Sequence, residues 1–187
     1  MHVSRRTPQS LTSGVRRLSA SPVKRKLLIT FLVLVLLAGG GVFAFRQARI
    51  HSIPAAAWSC LRQPQQMTLY SVHPEEPESA LVGAQLFHGY RVLGQVSVST
   101  ASDQQRVADA IKQAVLHIPD PAACFNPRHA LRVSDGSNNF DFVICYECGA
   151  MEFFTGGKSV GGTGIGGSPD TFNSILRAAG IPLAEHQ

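Results

Sequence analysis

The feature that most constrains this chain is an apolar run, Leu27 to Phe45, that carries no charged side chain. A helix of that length can cross the hydrocarbon core of a bilayer. Arg5, Arg6, Arg16, Arg17, Lys24, Arg25 and Lys26 precede it, and the first acidic residue is Glu75. Basic flanks stay on the cytoplasmic side. The expectation is a cytoplasmic tail over residues 1–26, a membrane helix or signal core over 27–45, a stalk over 46–66, and one exported domain over 67–187. The expected location is the inner membrane, with a single pass and the carboxyl-terminal domain in the periplasm.

Charge divides along the same line. Residues 1–49 hold nine Lys/Arg and no Asp/Glu, and the remainder holds eight against twelve, so +9 and −4 make the net +5. The basic character therefore belongs to the membrane-orienting segment. A nucleic-acid binder concentrates its cations on the folded part, so no nucleic-acid partner is expected.

Two fates fit the apolar run. As an uncleaved anchor it has adequate length, and Gly39, Gly40 and Gly41 are tolerable in a membrane helix. As a signal peptide its core is Leu27–Ala38, with Val42-Phe43-Ala44 offering small residues for a cut near Ala44. The 26-residue lead is long for a signal, which favours the anchor; a start at Val23 would remove that objection. No cysteine follows the run closely enough for a lipoprotein, and neither arginine pair has the apolar partner of a twin-arginine signal.

Beyond it, Ile53 to Ala57 and Gln63 to Gln66 read as stalk, with Trp58 near the membrane interface. Met67–Val72 reads as a strand, and His73 to Glu78 as an acidic, proline-broken loop. Arg91–Ser99 alternates, placing Val92, Val96 and Val98 on one face. Ser102 and Gln105 have capping-box spacing. Val107, Ala110, Ile111, Ala114, Val115 and Ile118 then form a helical stripe, ended by Pro119 and Pro121. His129–Ser134 and Phe140–Glu147 flank the turn residues Asp135-Gly136-Ser137-Asn138 as a hairpin, with Phe140, Phe142, Ile144 and Tyr146 inward. Met151–Thr155 adds a strand. Residues 156–167, with seven glycines, read as a mobile loop. Ser168, Pro169 and Asp170 open a last helix, whose stripe is Phe172, Ile175, Leu176 and Ala179 and whose stop is Gly180. The class is α+β: a small antiparallel sheet of about four or five strands with two helices on one face.

Four cysteines lie beyond the membrane segment: Cys60, Cys124, Cys145 and Cys148. If Asp135 pairs with Asn138, Cys124 comes opposite Gly149 and so near Cys148. Cys145 and Cys148, three apart, point to opposite faces of a flat strand. Four readings follow: a Cys124–Cys148 disulfide, buried thiols, a zinc site from Cys124, His129, Cys145 and Cys148, or a redox-active Cys145–Cys148 pair. The zinc set lacks a second separated pair, and the redox pair lacks a helix N-terminus, so no cofactor is expected and zinc is the alternative. Arg128 and His129 beside Asp141 and Glu147 form a candidate polar cluster that could serve acid–base chemistry. Gly162 to Gly167 matches GxGxxG without the parallel βαβ setting the motif needs. Gly157-Lys158-Ser159 has Glu152 where a phosphate loop has its first glycine.

Three stretches carry a resemblance: Phe87-His88-Gly89-Tyr90-Arg91-Val92-Leu93-Gly94, Ala123-Cys124-Phe125-Asn126-Pro127-Arg128-His129-Ala130-Leu131-Arg132-Val133, and Asp141-Phe142-Val143-Ile144-Cys145-Tyr146-Glu147-Cys148. With the tail Ala178–Ala184, they resemble a family of exported or membrane-anchored bacterial proteins without an assigned activity. The resemblance spans residues 65–184. It departs from the family pattern at Ala130, where glycine is usual, at Gly149-Ala150, and in the length of the glycine stretch. It implies no catalytic residue. It marks Cys124, Arg128, His129, Cys145 and Cys148 as the positions around which the motifs are built. The functional expectation is a membrane-tethered, non-enzymatic binding or scaffolding domain with an envelope partner. The alternative is a metal- or thiol-dependent site.

Overall fold

A computed structural model describes residues 22–74, 83–117 and 122–185. The tail up to residue 21, most of the acidic loop, and Ile118, Pro119 and Pro121 lie outside the described residues. Two units separate, residues 1–42 and 43–187. The first is helical where described: helix α1 is Pro22–Ile50. Within it Lys26–Ile50 is long and apolar enough to cross a membrane, with a mean hydropathy of 2.6.

The second unit is α+β. Beyond the end of α1 it contains α2 (Ala55–Arg62), β1 (Gln66–His73), β2 (Leu86–Phe87), β3 (Tyr90–Ser97) and α3 (Ala101–Leu116). These are followed by β4 (His129–Ser134), β5 (Asn139–Cys145), β6 (Ala150–Thr155), β7 (Lys158–Gly164) and α4 (Asp170–Ala178). One antiparallel sheet runs β2-β3-β1-β4-β5-β6-β7. The four or five strands expected become seven, and the described residues hold four helices.

The extra strands have identifiable causes. Residues 156–164, read as loop, are a hairpin: Thr155 pairs with Lys158 around Gly156-Gly157. Both turn glycines have positive φ, 56° and 76°, which is the backbone a two-residue turn needs to match strand twist. Glycine content signalled a turn here, not a flexible loop. β2 is two residues long, below what alternation can detect.

Helices α2, α3 and α4 pack on one sheet face. Ala57, Cys60 and Leu61 of α2, Val107, Ile111 and Val115 of α3, and Phe172 and Leu176 of α4 meet Met67, Leu69, Leu131, Phe142, Ile144 and Phe153. Leu69, Phe142 and Leu176 are wholly buried, and each such side chain contributes about 1.5–3 kcal/mol of transfer free energy. Two helices were expected. The third comes from the segment read as stalk, whose Ile53, Ala57, Cys60 and Leu61 are core residues and whose Trp58 packs against them. The opposite face is also covered: Tyr70, Val72, Phe87, Ala130 and Val143 cluster there.

β3 departs from its expected alternation. Its register with β1 shifts between Ser71 and Val72, so that Leu69 faces Val96 but Val72 faces Val92. Leu93 is the extra residue of this bulge, and a bulge reverses the faces beyond it. Val96 and Val98 therefore join the helix-side core, while Val92 joins the other face.

Helix boundaries follow local chemistry. Thr100, not Ser102, caps α3: its hydroxyl accepts the Asp103 N–H at 3.1 Å. In α4 the Ser168 hydroxyl accepts the Asp170 N–H at 3.2 Å. Gly180 (φ 70°) ends the helix, with Ile181 N–H donating back to the Leu176 carbonyl at 2.9 Å. Ala179 is exposed rather than part of the stripe. Beyond this stop, Ile181 lies so close to β3 that a Cβ on Gly94 would sit 2.7 Å from its Cγ2. The β4–β5 turn is as expected, with Asp135 N–H donating to Asn138 O at 3.2 Å. The Asp135 carboxylate accepts the N–H groups of Asn138 and Ser137 at 2.7 and 2.9 Å.

Gly157→Ala should lower stability by about 1–2 kcal/mol, the cost of forcing an L side chain into left-handed backbone. Chemical denaturation of the full chain in detergent checks this; an unchanged midpoint would show that the turn is not held as described.

Candidate functional site

Sheet geometry separates the residues read as one polar cluster. His129 opens β4 opposite Ile144, on the helix face, while Asp141 lies opposite Arg132, on the other face. The two cannot form one acid–base pair.

Asp141 is nevertheless fully engaged. Arg132 grips it with two N–H···O bonds of 2.7 Å, and His88 Nε2 approaches Oδ2 at 2.7 Å. The His88 ring stacks on Phe154 with centroids 3.8 Å apart, and the Arg132 guanidinium lies 5.1 Å from the centre of the Phe87 ring. His88 is the one non-glycine residue of positive φ (51°) among the described residues. Asn, Asp and His tolerate that conformation better than other side chains. Here it lets the Phe87-His88-Gly89-Tyr90 turn drop its imidazole onto a buried carboxylate. Sequence inspection missed this role, because the partners are distant in the chain.

On the helix face, His129 packs against Phe172 and Tyr146 at centroid distances of 5.7 and 6.2 Å. Its Nε2 lies 2.8 Å from Asn173 Oδ1 of α4. Burial drives its pKa down to about 4; the Asn173 bond opposes the shift and nearby Arg128 adds to it. The ring is thus neutral near pH 7, with Nε2–H donating to Asn173. Arg128 pairs with the Glu147 carboxylate, and its Nε donates to the Glu185 carbonyl at 3.4 Å. Tyr146 has a buried hydroxyl with no hydrogen-bond partner among the described residues, and burial raises its pKa.

The cysteines fall around the same corner. β5 ends at Cys145, and Tyr146 to Gly149 form the turn into β6, so the expected strand to Glu147 stops two residues early. Cys124 and Cys148 lie at disulfide distance, with Cα atoms 5.6 Å apart. Cys145 and Cys60 are buried thiols. Burial pushes the Cys60 thiol up to about 11, and burial also raises Cys145. The Cys148 N–H donates to Cys145 Sγ at 3.0 Å, and Asn126 N–H donates to Cys148 Sγ at 3.2 Å. Of the four residues weighed as zinc ligands, Cys124 and Cys148 face each other and His129 faces Asn173. Among the described residues no group of three or more His, Cys, Asp or Glu is placed to hold a metal ion.

Asn126, Arg128, His129, Tyr146 and Glu147 form one wall of a cavity of about 620 Å³ that is also lined by Pro169, Asn173, Arg177, Leu183, Ala184 and Glu185. Its other wall is α4 and the segment after it. Pro169, Asn173 and Arg177 recur every fourth residue and so share one helix stripe, beside the core stripe of Phe172 and Leu176. Of the marked residues, Arg128 and His129 line the cavity, and Cys148 holds the Asn126 wall. Asn173, Tyr146 and Arg177 were not anticipated as site residues.

The chain matches no protein-family model, no curated protein and no solved structure.

His129 supplies a pH test. The unfolded ring titrates near 6.5 and the folded one near 4, so the unfolded state takes up the proton first. Stability is complete above about pH 6.5 and falls as the pH drops from there through 4, by on the order of 3 kcal/mol. Denaturation midpoints across this range should show that loss, and it should shrink in His129→Asn; a flat profile would place His129 in water.

Proposed function

We propose that this chain is a membrane-tethered binding domain, with the basic tail in the cytoplasm and the part beyond residue 45 facing the periplasm. The apolar helix and its basic lead support the tether and its orientation. Release to the periplasm after a cut near Ala44 would leave the same domain. The single observation that carries the binding role is the cavity of about 620 Å³, within the 300–1,000 Å³ of small-molecule sites. It combines apolar lining from Pro169, Leu183 and Ala184 with a few placed polar groups, the composition typical of recognition. The reading is non-enzymatic and needs no cofactor: the His129 ring is buried against Asn173, and Glu147 of the same cavity is paired with Arg128. The partner is an envelope component, not a nucleic acid, given the −4 charge of the residues beyond 49.

A second reading is a thiol- or zinc-dependent site on Cys124, His129, Cys145 and Cys148, favoured by the three cysteines meeting at one corner. It requires Cys124 and Cys148 to part first, because zinc takes thiolates and not a disulfide. Intact mass of the native protein, with and without thiol alkylation, separates the two. A bound-metal increment with cysteines that alkylate only after denaturation supports the second reading. A mass two protons light with no increment supports the first.

For the binding role, a ligand-observed NMR fragment screen on the full chain in detergent should yield binders lost in Asn126→Trp, which fills the cavity. A screen with no binder sensitive to that substitution would end this reading.

A further inference from the structure

We infer that the cavity recognises a ligand bearing a single carboxylate, and this inference rests on the binding role proposed above. The polar groups that remain uncommitted at the site are mostly donors. Asn173 spends its Oδ1 on His129 Nε2, which leaves its Nδ2 with two N–H groups and turns the amide into a donor toward the cavity. Tyr146, which lines the cavity, holds a buried hydroxyl without a partner among the described residues, and an acceptor bound there would satisfy it. Arg177 sits one helical turn beyond Asn173 on the same stripe, and its guanidinium has no ion-pair partner among the described residues. Arg128, already paired with Glu147, retains further N–H donors.

A planar guanidinium presenting two parallel N–H groups matches a carboxylate. Two arginines, Arg128 and Arg177, and two glutamates, Glu147 and Glu185, line the cavity; Arg128 pairs with Glu147, so Arg177 is the guanidinium available to grip a carboxylate. Glu147 and Glu185, which also line the cavity, repel a phosphate dianion more strongly than a single carboxylate. The volume exceeds what a carboxylate alone fills, and Pro169, Leu183 and Ala184 give the remainder an apolar lining. The ligand is therefore a carboxylate with an apolar body, either a free small acid or the carboxyl end of a peptide.

The test uses the full chain in nanodiscs and four probes: butanoate, butanamide, N-acetylleucylalanine with a free carboxylate, and its carboxyl amide. Dissociation constants come from ¹⁵N NMR titration, read at the Asn173 side-chain amide. Each acid should bind about ten-fold more tightly than its amide. Arg177→Gln, a change at an exposed position that leaves the fold intact, should abolish that difference. Arg177→Lys should restore part of it, and Tyr146→Phe should weaken the acid about five-fold. Binding of both acids, or of butanoate alone, supports a small-acid ligand; binding of the peptide alone supports a chain terminus. Acids and amides binding within two-fold of each other would overturn the carboxylate inference while leaving the cavity a binding site. No binding by any probe would also overturn it, and the fragment screen then decides separately whether the cavity binds at all.

Discussion

Antiparallel pairing of β1 with β4 joins Ser71 to His129 and Gln66 to Ser134, and the placement of the cavity follows from it. Both strands are central, with β3 on one side and β5 on the other. The ladder fixes the parity of every residue in β4, so His129 must face the helices and Arg132 must face away. Val72 N–H donating to the Arg128 carbonyl at 3.1 Å extends the pairing one step past the strand and holds the Arg128 backbone at the cavity rim. A one-residue slip would exchange the two faces. It would carry His129 off the Phe172 wall and leave Asp141 without Arg132.

The two polar centres illustrate different solutions to burial. On one face Asp141 keeps its place because the Arg132 guanidinium and the His88 imidazole hydrogen-bond it. On the other, His129 gives up its charge, because burial outweighs the neutral amide that Asn173 offers. A charged group leaves water only with compensation, and otherwise takes its neutral form.

Much of this was legible in the sequence, where signals are local. The turn at Asp135–Asn138 predicted the β4–β5 register correctly, and counting along that register placed Cys124 near Cys148. The helix of residues 101–116 was found from its stripe, although its cap lies two residues earlier, at Thr100. Failures occurred where information is non-local or cancels. Leu93's bulge cannot be read from β3 alone, since it is defined only against β1. Alanines and a proline made 53–57 look like stalk, yet Ile53, Cys60 and Leu61 find the core. Glycines at 156, 157, 161, 162 and 164 read as looseness, whereas two of them make a tight turn and the others sit in its second strand. Asn173 carried no signal, because its role is set by a histidine from a distant strand.

The β1–β4 ladder also imposes an order on events during synthesis. The chain emerges amino end first, so α2 and β1 are complete while the strand that must hold them is still unmade. Non-local pairings of this kind close slowly, and until they do, unpaired strands and apolar side chains stay exposed. Cys124 and Cys148 escape most of this delay: they are 24 residues apart and appear almost together. Cys60 does not. It is sheltered only when α2 docks on β4 and β5, so of the four thiols it waits longest, unprotected, for the fold that buries it.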